Sequence, residues 1–346
     1  MRRVTTAAMI GVALLLAGCS SSSSSTTSTG ATANSVASTA PVTVRLGFLT
    51  NITHASALVG LKEGFFTKDL GSAGTLKATA FSTGTEETTA LLAGQLDAAY
   101  VGPNPAINAW QKSNGSAIKI ISGAATGGAS VVVAKGISSA SQLKGKTLAT
   151  PSLGNTQDVA LRYWLKQNGL ATTSTGGGDA FIKPTTPNSA AVLEFKSGQI
   201  AGGSEPAPYD IEMVKDGGTV LLSESGVTTL LVVTQSFLSA HPAIVADLVK
   251  AQIQANDFIK SSPAAAQADA NAELGSYTGK PLKASIVAAA FKEITFTNDP
   301  DASSLTSDAS QAQSLGLLKP VNLSGIFDLG PLNTALAAAG ESQVSS

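Results

Sequence analysis

The alternation of apolar and polar residues predicts a chain of short strands and helices. Residues 42–48 switch between apolar and polar along the chain, as expected of a β-strand, and residues 55–66 predict a helix that ends near Gly64. The same succession continues downstream. Further strands are predicted at 76–81, 96–101, 118–121, 131–134, 147–150, 180–182, 200–203 and 230–233, and further helices at 86–93, 106–112, 156–168 and 188–196. Strands that alternate with helices are typical of an α/β fold.

A weak internal repeat indicates two similar α/β halves. Residues 92–96 (Leu-Ala-Gly-Gln-Leu) and 195–200 (Phe-Lys-Ser-Gly-Gln-Ile) each lead from a predicted helix into a predicted strand. A proline-containing segment, predicted as a loop, follows in both halves, at 102–105 and at 205–208. Because ligands of open α/β sheets bind at the carboxyl ends of strands, both loops are candidate binding elements. Chance similarity between glycine-rich turns is the alternative explanation of the repeat.

The start of the chain carries an export pattern. Arg2 and Arg3 precede a short apolar run at 7–16, and small residues follow, which together predict a secretory signal peptide over residues 1–18. The segment Leu-Ala-Gly-Cys at 16–19 resembles the bacterial lipobox, in which the cysteine is lipidated and becomes the new N-terminus. We therefore expect a protein that is exported and lipid-anchored to the outer face of the cell membrane. The alternative is an ordinary signal peptide with an unrelated cysteine.

A Ser/Thr-rich segment separates this export pattern from the first predicted strand. Residues 19–41 contain the lipidation candidate Cys19 and, after it, no large apolar residue, so they cannot form a core. We predict that they are a flexible tether between the membrane surface and the folded part.

Composition narrows the function classes. The net charge is −1, from 22 basic and 23 acidic residues, which argues against a nucleic-acid partner. One cysteine and two histidines far apart in the sequence provide no zinc pattern. The chain has no Gly-x-Ser-x-Gly element, and residues 145–147 lack the first glycine of a phosphate-binding loop. We therefore expect no metal, no cofactor and no enzyme activity.

Six segments of the chain together form a recognisable series, at 44–49, 61–66, 90–97, 141–146, 153–156 and 205–206. In their order along the chain they resemble segments of the NMT1-like solute-binding lipoproteins. Members of that family deliver nitrate, sulfonates, taurine or the thiamine pyrimidine precursor to ABC importers.

The resemblance implies a two-lobe periplasmic-binding-protein-like fold of type II, with the ligand cleft between the lobes. Lobe one would comprise residues 42–125 and 228–340, and lobe two residues 128–225. Both expected crossings, near 126–128 and 224–226, contain glycine, which suits a hinge. The resemblance also implies a small-molecule ligand, an ABC permease as partner and a monomeric protein.

The candidate ligand-binding residues lie in loops that this fold would bring to the cleft. Helix capping, core packing or an exposed rim position could equally explain His54, Tyr100, Asn155 and Glu205. The candidates are Thr50, Asn51, Thr53, His54, Thr83, Tyr100, Gly102, Asn104, Ser152, Asn155, Thr156 and Glu205.

The candidate loops contain no arginine, which a buried dianion would usually require. The sequence therefore favours a monoanion, a zwitterion or a neutral solute. The resemblance favours an aliphatic sulfonate or taurine, whose amine Glu205 would meet. The alternatives are nitrate, a thiamine pyrimidine precursor, a binding module that serves a sensor, and an enzyme of the pyrimidine-synthase type.

Replacing Cys19 with alanine removes the thiol that would accept the lipid. We expect Cys19→Ala to appear in the medium or to accumulate as uncut precursor, as measured by cell fractionation and immunoblotting. Ser22→Ala is the control, since it leaves the lipobox unchanged and should stay with the membrane. A Cys19→Ala protein that is processed normally and remains membrane-bound would show that the lipoprotein prediction is wrong.

Overall fold

The structure is a computed structural model that describes residues 40–346. The predicted signal peptide, Cys19 and most of the predicted tether lie outside the described residues. The described part contains two β-sheets. The first is built from β1 (Val42–Leu49), β2 (Gly74–Phe81), β3 (Ala98–Val101), β4 (Ile118–Gly127), β10 (Val227–Thr234) and β11 (Ile294–Phe296). The second is built from β5 (Ala129–Val133), β6 (Thr147–Thr150), β7 (Phe181–Pro184), β8 (Gly202–Pro206) and β9 (Thr219–Ser223).

Helices connect the strands and cover both sheets. Within residues 40–346, none of them has the length and hydrophobicity needed to cross a membrane. They are α1 (Ala55–Lys62), α2 (Phe65–Leu70), α3 (Gly84–Leu92), α4 (Pro103–Lys112), α5 (Thr156–Gln167), α6 (Asn188–Lys196), α7 (Tyr209–Lys215), α8 (Gln235–Ala240), α9 (Pro242–Ser261), α10 (Pro263–Thr278), α11 (Ala284–Glu293), α12 (Ala302–Ser314) and α13 (Gly330–Ala339).

The two sheets share one arrangement of strands. The first sheet has the order β11-β4-β10-β3-β1-β2, in which β1 runs parallel to β2 and β3, and β10 runs antiparallel to β3. The second has the order β7-β6-β8-β5-β9, in which β6 runs parallel to β7 and β8, and β5 runs antiparallel to β8. Each sheet is therefore the centre of one lobe, and the two-lobe α/β expectation is confirmed.

Many predicted bounds shift by a few residues, and three differences from the sequence prediction change the kind of structure. The helix predicted over 55–66 is two helices, because Gly64 adopts a left-handed conformation with φ of 71° between α1 and α2. The predicted turn at 102–105 is the start of α4, since Pro103 occupies the first helical position, where its missing N–H is not needed. Glu205 and Pro206 are not in a loop but form the end of β8, paired with β5.

Apolar side chains fill both faces of each sheet. Leu231 and Val232 are neighbours on β10, yet they belong to separate clusters, one packed on α1, α9 and α10 and the other on α4 and α12. Val131 and Val132 on β5 divide in the same way between α5 on one face and α6 with α7 on the other. Successive strand residues point to opposite faces, so uninterrupted apolar runs mark strands that are covered on both sides.

The chain passes between the sheets at two adjacent crossings. The Gly127 amide donates to the Gly226 carbonyl at 2.9 Å, and the Glu224 amide donates to the Ala129 carbonyl at 2.9 Å. Gly127 has φ of 71°, and a Cβ there would lie 2.6 Å from the Glu293 carbonyl oxygen, so this position requires glycine. The predicted lobe boundaries, 42–125 with 228–340 and 128–225, remain a proposal.

A methyl group at Gly123 of β4 would collide with a neighbouring segment. A Cβ there would lie 2.1 Å from the Asp299 carbonyl oxygen, and the Gly123 amide also donates to the Asn298 carbonyl at 2.9 Å. We expect Gly123→Ala to lower the free energy of unfolding by about 1–3 kcal/mol or more, measured by urea denaturation. Gly330→Ala is the control, because its Cβ would meet only the Asp328 carboxylate at 3.4 Å. Equal stability of both variants would contradict the close packing.

Candidate functional site

A cavity of about 20 Å³ lies between the lobes, where the carboxyl ends of parallel strands from both sheets meet. Open α/β sheets bind ligands at this end of their strands. Residues that follow β1, β2 and β3 line it from the first lobe, and residues at the ends of β6 and β8 from the second. The lining residues are Leu49, Asn51, Thr53, His54, Gly84, Gly102, Pro105, Asn155, Thr156, Gln157, Pro206 and Thr228.

Four helix beginnings face this cavity. Asn51 is the N-cap of the 3-10 helix Ile52–His54, which leads into α1, and Asn155 is the N-cap of α5. Gly84 is the first residue of α3, and Gly102 is the N-cap of α4. The first turns of α3 and α5 present N–H groups that have no carbonyl partner in the helix, and all four beginnings present the positive end of a helix dipole. In the 3-10 helix the amides of Ile52, Thr53 and His54 already donate to Ala207 and Asn51, and in α4 Pro103 and Pro105 have no N–H. This arrangement favours an anionic or electron-rich group in the cavity.

The first of these loops is held by side chains from the first lobe. The Asn51 Oδ1 atom accepts hydrogen bonds from the Thr53 amide at 3.0 Å and from the Thr53 Oγ1 hydroxyl at 2.6 Å. The Thr229 hydroxyl donates to the Thr53 carbonyl oxygen at 3.0 Å. All three side chains are buried, so the loop has a defined position before any ligand contact is considered.

The loop from the second lobe is held by a buried ion pair. The Asp158 carboxylate accepts from the Gly154 amide at 2.8 Å and from the Arg162 Nε at 2.8 Å. Asn155 in turn accepts from the Asp158 amide at 2.9 Å. The side chains of Asp158 and Arg162 are 0% and 1% exposed. Arg162 is therefore neutralised by Asp158 and sets the loop position without lining the cavity.

His54 is a neutral hydrogen-bond donor at the cavity wall. Complete burial lowers the pKa of its imidazole to about 3, so the ring carries no charge at neutral pH. The Leu49 amide donates to Nδ1 at 3.2 Å, which assigns the ring proton to Nε2. The cavity lining therefore contains hydrogen-bond donors but no formal positive charge.

Glycine allows the two lobes to approach closely at the cavity. A Cβ on Gly102 would lie 2.6 Å from the Thr156 hydroxyl of the opposite lobe. Within the first lobe, a Cβ on Gly84 would lie 2.7 Å from Pro105, so glycine there also lets α3 approach α4. Near the cavity, the Thr85 and Ser152 hydroxyls are 3.2 Å apart across the lobes.

Half of the residues singled out from the sequence line the cavity, and they come from both lobes. They are Asn51, Thr53, His54, Gly102, Asn155 and Thr156.

Three of the other candidates have side chains that are buried away from the cavity. The Tyr100 hydroxyl donates to Gln252 at 2.6 Å inside the core of the first lobe. Asn104 is buried, with its amide nitrogen 3.4 Å from the Asp308 carbonyl of α12. Glu205 is fully buried on β8 and does not line the cavity.

The remaining three candidates support the walls. Thr83 caps α3 by accepting from the Glu86 amide at 3.2 Å, and the Thr50 carbonyl accepts from the Tyr209 hydroxyl at 2.9 Å. Ser152 forms the contact with Thr85 described above.

Sequence reasoning missed Thr228 altogether and did not single out Gln157. Gln157 directly follows the Asn155–Thr156 pair, so its place in the first turn of α5 was a usable indication. Thr228 lies in β10, whose residues are all buried, and nothing local distinguishes it. Only the pairing of β10 with β4 brings it to the cleft, where its hydroxyl donates to the Gly127 carbonyl at 2.7 Å.

The two sheets, the paired crossings and the cavity between the lobes define a periplasmic-binding-protein fold. The chain belongs to the NMT1-like family, whose model matches residues 37–274. No curated protein sequence matches it significantly.

Solved structures share this fold at low sequence identity. The alkanesulfonate-binding protein SsuA from Xanthomonas axonopodis pv. citri, bound to MOPS, is 16% identical with a TM-score of 0.70, covering 84% of this chain and 100% of that one. The nitrate-binding protein NrtA from Synechocystis PCC 6803 is 14% identical with a TM-score of 0.72, covering 86% and 89%. DSZB in complex with biphenyl-2-sulfinic acid is 15% identical with a TM-score of 0.61, covering 86% and 99%.

The buried neutral state of His54 makes stability depend on pH. Its pKa is about 3 in the folded protein against 6.5 in the unfolded chain, so acid protonates the unfolded state first. The stability contributed by this group is therefore lost as pH falls below about 6.5. We expect the free energy of unfolding to lose about 1.4 kcal/mol from this group between pH 8 and pH 5.5, and His54→Gln to lack that loss. Urea denaturation of both proteins at both pH values measures these free energies of unfolding. A difference between the two proteins that is the same at pH 8 and at pH 5.5 would contradict a neutral, buried His54.

Proposed function

We propose that this protein captures a small monoanion outside the cell and delivers it to an ABC importer. The observation that carries the proposal is the convergence of four helix beginnings on one cavity between two lobes. Backbone N–H groups, together with the side chains of Asn51, Asn155 and His54, supply uncharged donors to anion oxygens. Membership of the NMT1-like family is in keeping with this function.

The charge of the lining supports a single negative charge on the ligand. No lysine or arginine is among the lining residues, and the Arg162 charge is neutralised by Asp158. Each helix beginning provides the equivalent of roughly half a positive charge. Such partial charges suit a monoanion, whereas a dehydrated dianion usually recruits arginine forks.

An aliphatic sulfonate is the first candidate ligand. Its three oxygens match a wall of amide and hydroxyl donors, and a neighbour in fold is named an alkanesulfonate-binding protein. Taurine is a weaker candidate than a plain alkanesulfonate, because Glu205, the expected partner of its amine, does not line the cavity.

Nitrate is the second candidate, and the size of the cavity favours it. A cavity of about 20 Å³ has room for little more than one water-sized group. The planar nitrate ion therefore needs less separation of the lobes than a sulfonate with its alkyl chain. A neighbour in fold is also named a nitrate-binding protein.

We also propose that the protein is lipid-anchored at Cys19 and lies outside the cell. The export pattern of the first residues supports both. We also retain monomeric function with an ABC permease as partner. Service to a sensor is the alternative, and loss of solute uptake on deletion of the gene separates a transporter from a sensor.

A ligand screen with one matched pair of variants tests the proposal. We expect methanesulfonate and ethanesulfonate to raise the melting temperature of the protein, and sulfate, as a dianion, to leave it unchanged. Asn155→Ala removes both a helix cap and a cavity donor, so it should weaken sulfonate binding at least tenfold by calorimetry, as for the loss of a hydrogen bond to a charged group. Thr234→Ala removes the cap of α8, away from the cavity, and should leave affinity unchanged.

The outcomes of the screen are distinct. Binding of nitrate without sulfonates would select the second candidate. Binding of neither ion, or an equal loss of affinity in both variants, would contradict an anion site at the helix beginnings.

A further inference from the structure

Acidic side chains, without basic partners, meet where the two lobes join. We call this group the carboxylate seam. Glu205 and Asp210 are buried in the second lobe, Glu224 and Asp308 are partly buried, and Glu293 lies at the exposed edge. None of the five belongs to the lining of the cavity described above.

The seam spans the boundary between the lobes. Glu205 lies on β8 and Asp210 on α7, both in the second lobe, whereas Glu293 ends α11 and Asp308 lies on α12, both in the first. Glu224 directly follows β9, at the return crossing. The Glu293 charge raises the pKa of Asp210, and the Glu224 charge raises the pKa of Asp308. The pair Asp210–Glu293 therefore connects the two lobes, and the pair Asp308–Glu224 connects the first lobe to the return crossing.

Backbone carbonyl groups of two seam residues lie close to Gly127, at the first crossing between the lobes. A Cβ on Gly127 would lie 2.6 Å from the Glu293 carbonyl oxygen and 3.5 Å from the Glu224 carbonyl oxygen. Gly127 and Gly128 have φ of 71° and 74°, in the left-handed region that favours glycine. The backbone segments that carry Glu224 and Glu293 therefore pack against the crossing at Gly127.

The groups that face the seam are negative or neutral. Asp210 faces Glu205, Glu224 and Glu293, and Asp308 faces Glu224 and Asp301. The Ser204 hydroxyl donates to Glu224 at 2.9 Å, and the Tyr209 phenol lies near Glu205.

Lysine charges act on Glu212 of α7 and not on the seam carboxyl groups. The lysines are Lys215, Lys280 and Lys283. Lys215 also donates to the Ser285 hydroxyl at 3.0 Å, in an exposed contact between the lobes.

Several seam oxygens have no hydrogen-bond partner within residues 40–346. These are both carboxylate oxygens of Glu205, together with Oδ2 of Asp210 and Oδ2 of Asp308. An ionised carboxylate in such a position loses its hydration without gaining a donor, which is costly. A protonated carboxyl group carries no charge and can itself donate a hydrogen bond to a neighbouring carboxylate.

Burial raises the pKa of each seam carboxyl group above its ordinary value, and neighbouring acids raise those of Glu205, Asp210 and Asp308 further. For Glu224, burial raises the pKa to about 7. Because these values exceed those of the unfolded or separated chain, the joined lobes are most stable at low pH. That stability is lost as pH rises from about 4 through the raised values.

We propose that the carboxylate seam is a proton-operated latch, which holds the lobes together while its carboxyl groups share protons and lets them separate when those protons are lost. Ionisation places like charges on both sides of the hinge, and separation of the lobes admits water to each of them. The position of the lobes, and with it the access to the cleft, then depends on pH outside the cell. The latch acts through residues away from the cavity, so it does not depend on which solute the cavity binds.

Small-angle X-ray scattering of the full chain tests the latch without added solute. All buffers contain EDTA, so that protons are the only ions varied at the seam. We expect the radius of gyration to rise between pH 5 and pH 8.5, in a transition centred near pH 7, the value for Glu224. The double variant Asp210→Asn/Glu224→Gln cannot ionise at these positions and should remain compact throughout.

A matched double variant controls for the change in net charge. Glu86→Gln/Glu341→Gln removes two negative charges from exposed positions, so it should expand as the unmodified chain does. Circular dichroism checks that each protein is folded at each pH. If the seam variant does not fold, Asp308→Asn alone replaces it and should shift the transition to higher pH.

Three results would overturn the latch. They are a constant radius of the unmodified chain, expansion of the seam variant at the same pH as the unmodified chain, and loss of the expansion in the control variant.

Discussion

The backbone N–H groups at the start of a helix have no carbonyl partner within that helix, and here four such starts face one small cavity. The meeting of these helix starts at one cavity follows from the order of the strands in the two sheets. Each sheet has a central strand, β1 or β6, with parallel neighbours on both sides, so that the chain leaves adjacent strands at the same edge and begins helices there. The two edges face each other because the chain crosses between the sheets at neighbouring points. The chemistry of the site is therefore mainly that of the backbone.

Formal charges are kept away from the cavity by local pairing or by the environment. Arg162 is paired with Asp158 behind the second-lobe loop, and His54 is neutral because it is buried. Unpaired carboxyl groups of Glu205, Asp210 and Asp308 lie at the seam between the lobes, and that of Glu87 lies on α3 in the first lobe. The cavity therefore offers uncharged hydrogen-bond donors, whereas the buried carboxyl groups with raised pKa values at the seam lie between the lobes. In the proposed latch, ligand binding and lobe separation would respond to different conditions.

Much of the local structure could be predicted from the sequence because local rules determined it. The strand at 147–150 and the helix at 188–196 have the predicted bounds, since Pro151 follows the strand and Pro187 and Gly198 flank the helix. Predictions failed where a glycine or a proline could either continue or interrupt a helix. Gly64 divides a helix that apolar spacing alone would continue, and Pro103 begins a helix where a turn was expected.

The sequence by itself determined the α/β class, the two similar halves and the loops that reach the cleft, because each of these depends on short-range patterns. Asn51 and Asn155 could be found in this way, since helix caps are local features. The tertiary structure decided which side chains enter the cavity. Tyr100 turns into the core, Glu205 faces the seam, and Thr228 reaches the cleft from a distant strand. Adjacent residues of a strand point to opposite faces, so only the pairing and packing of whole sheets determine which face meets the ligand.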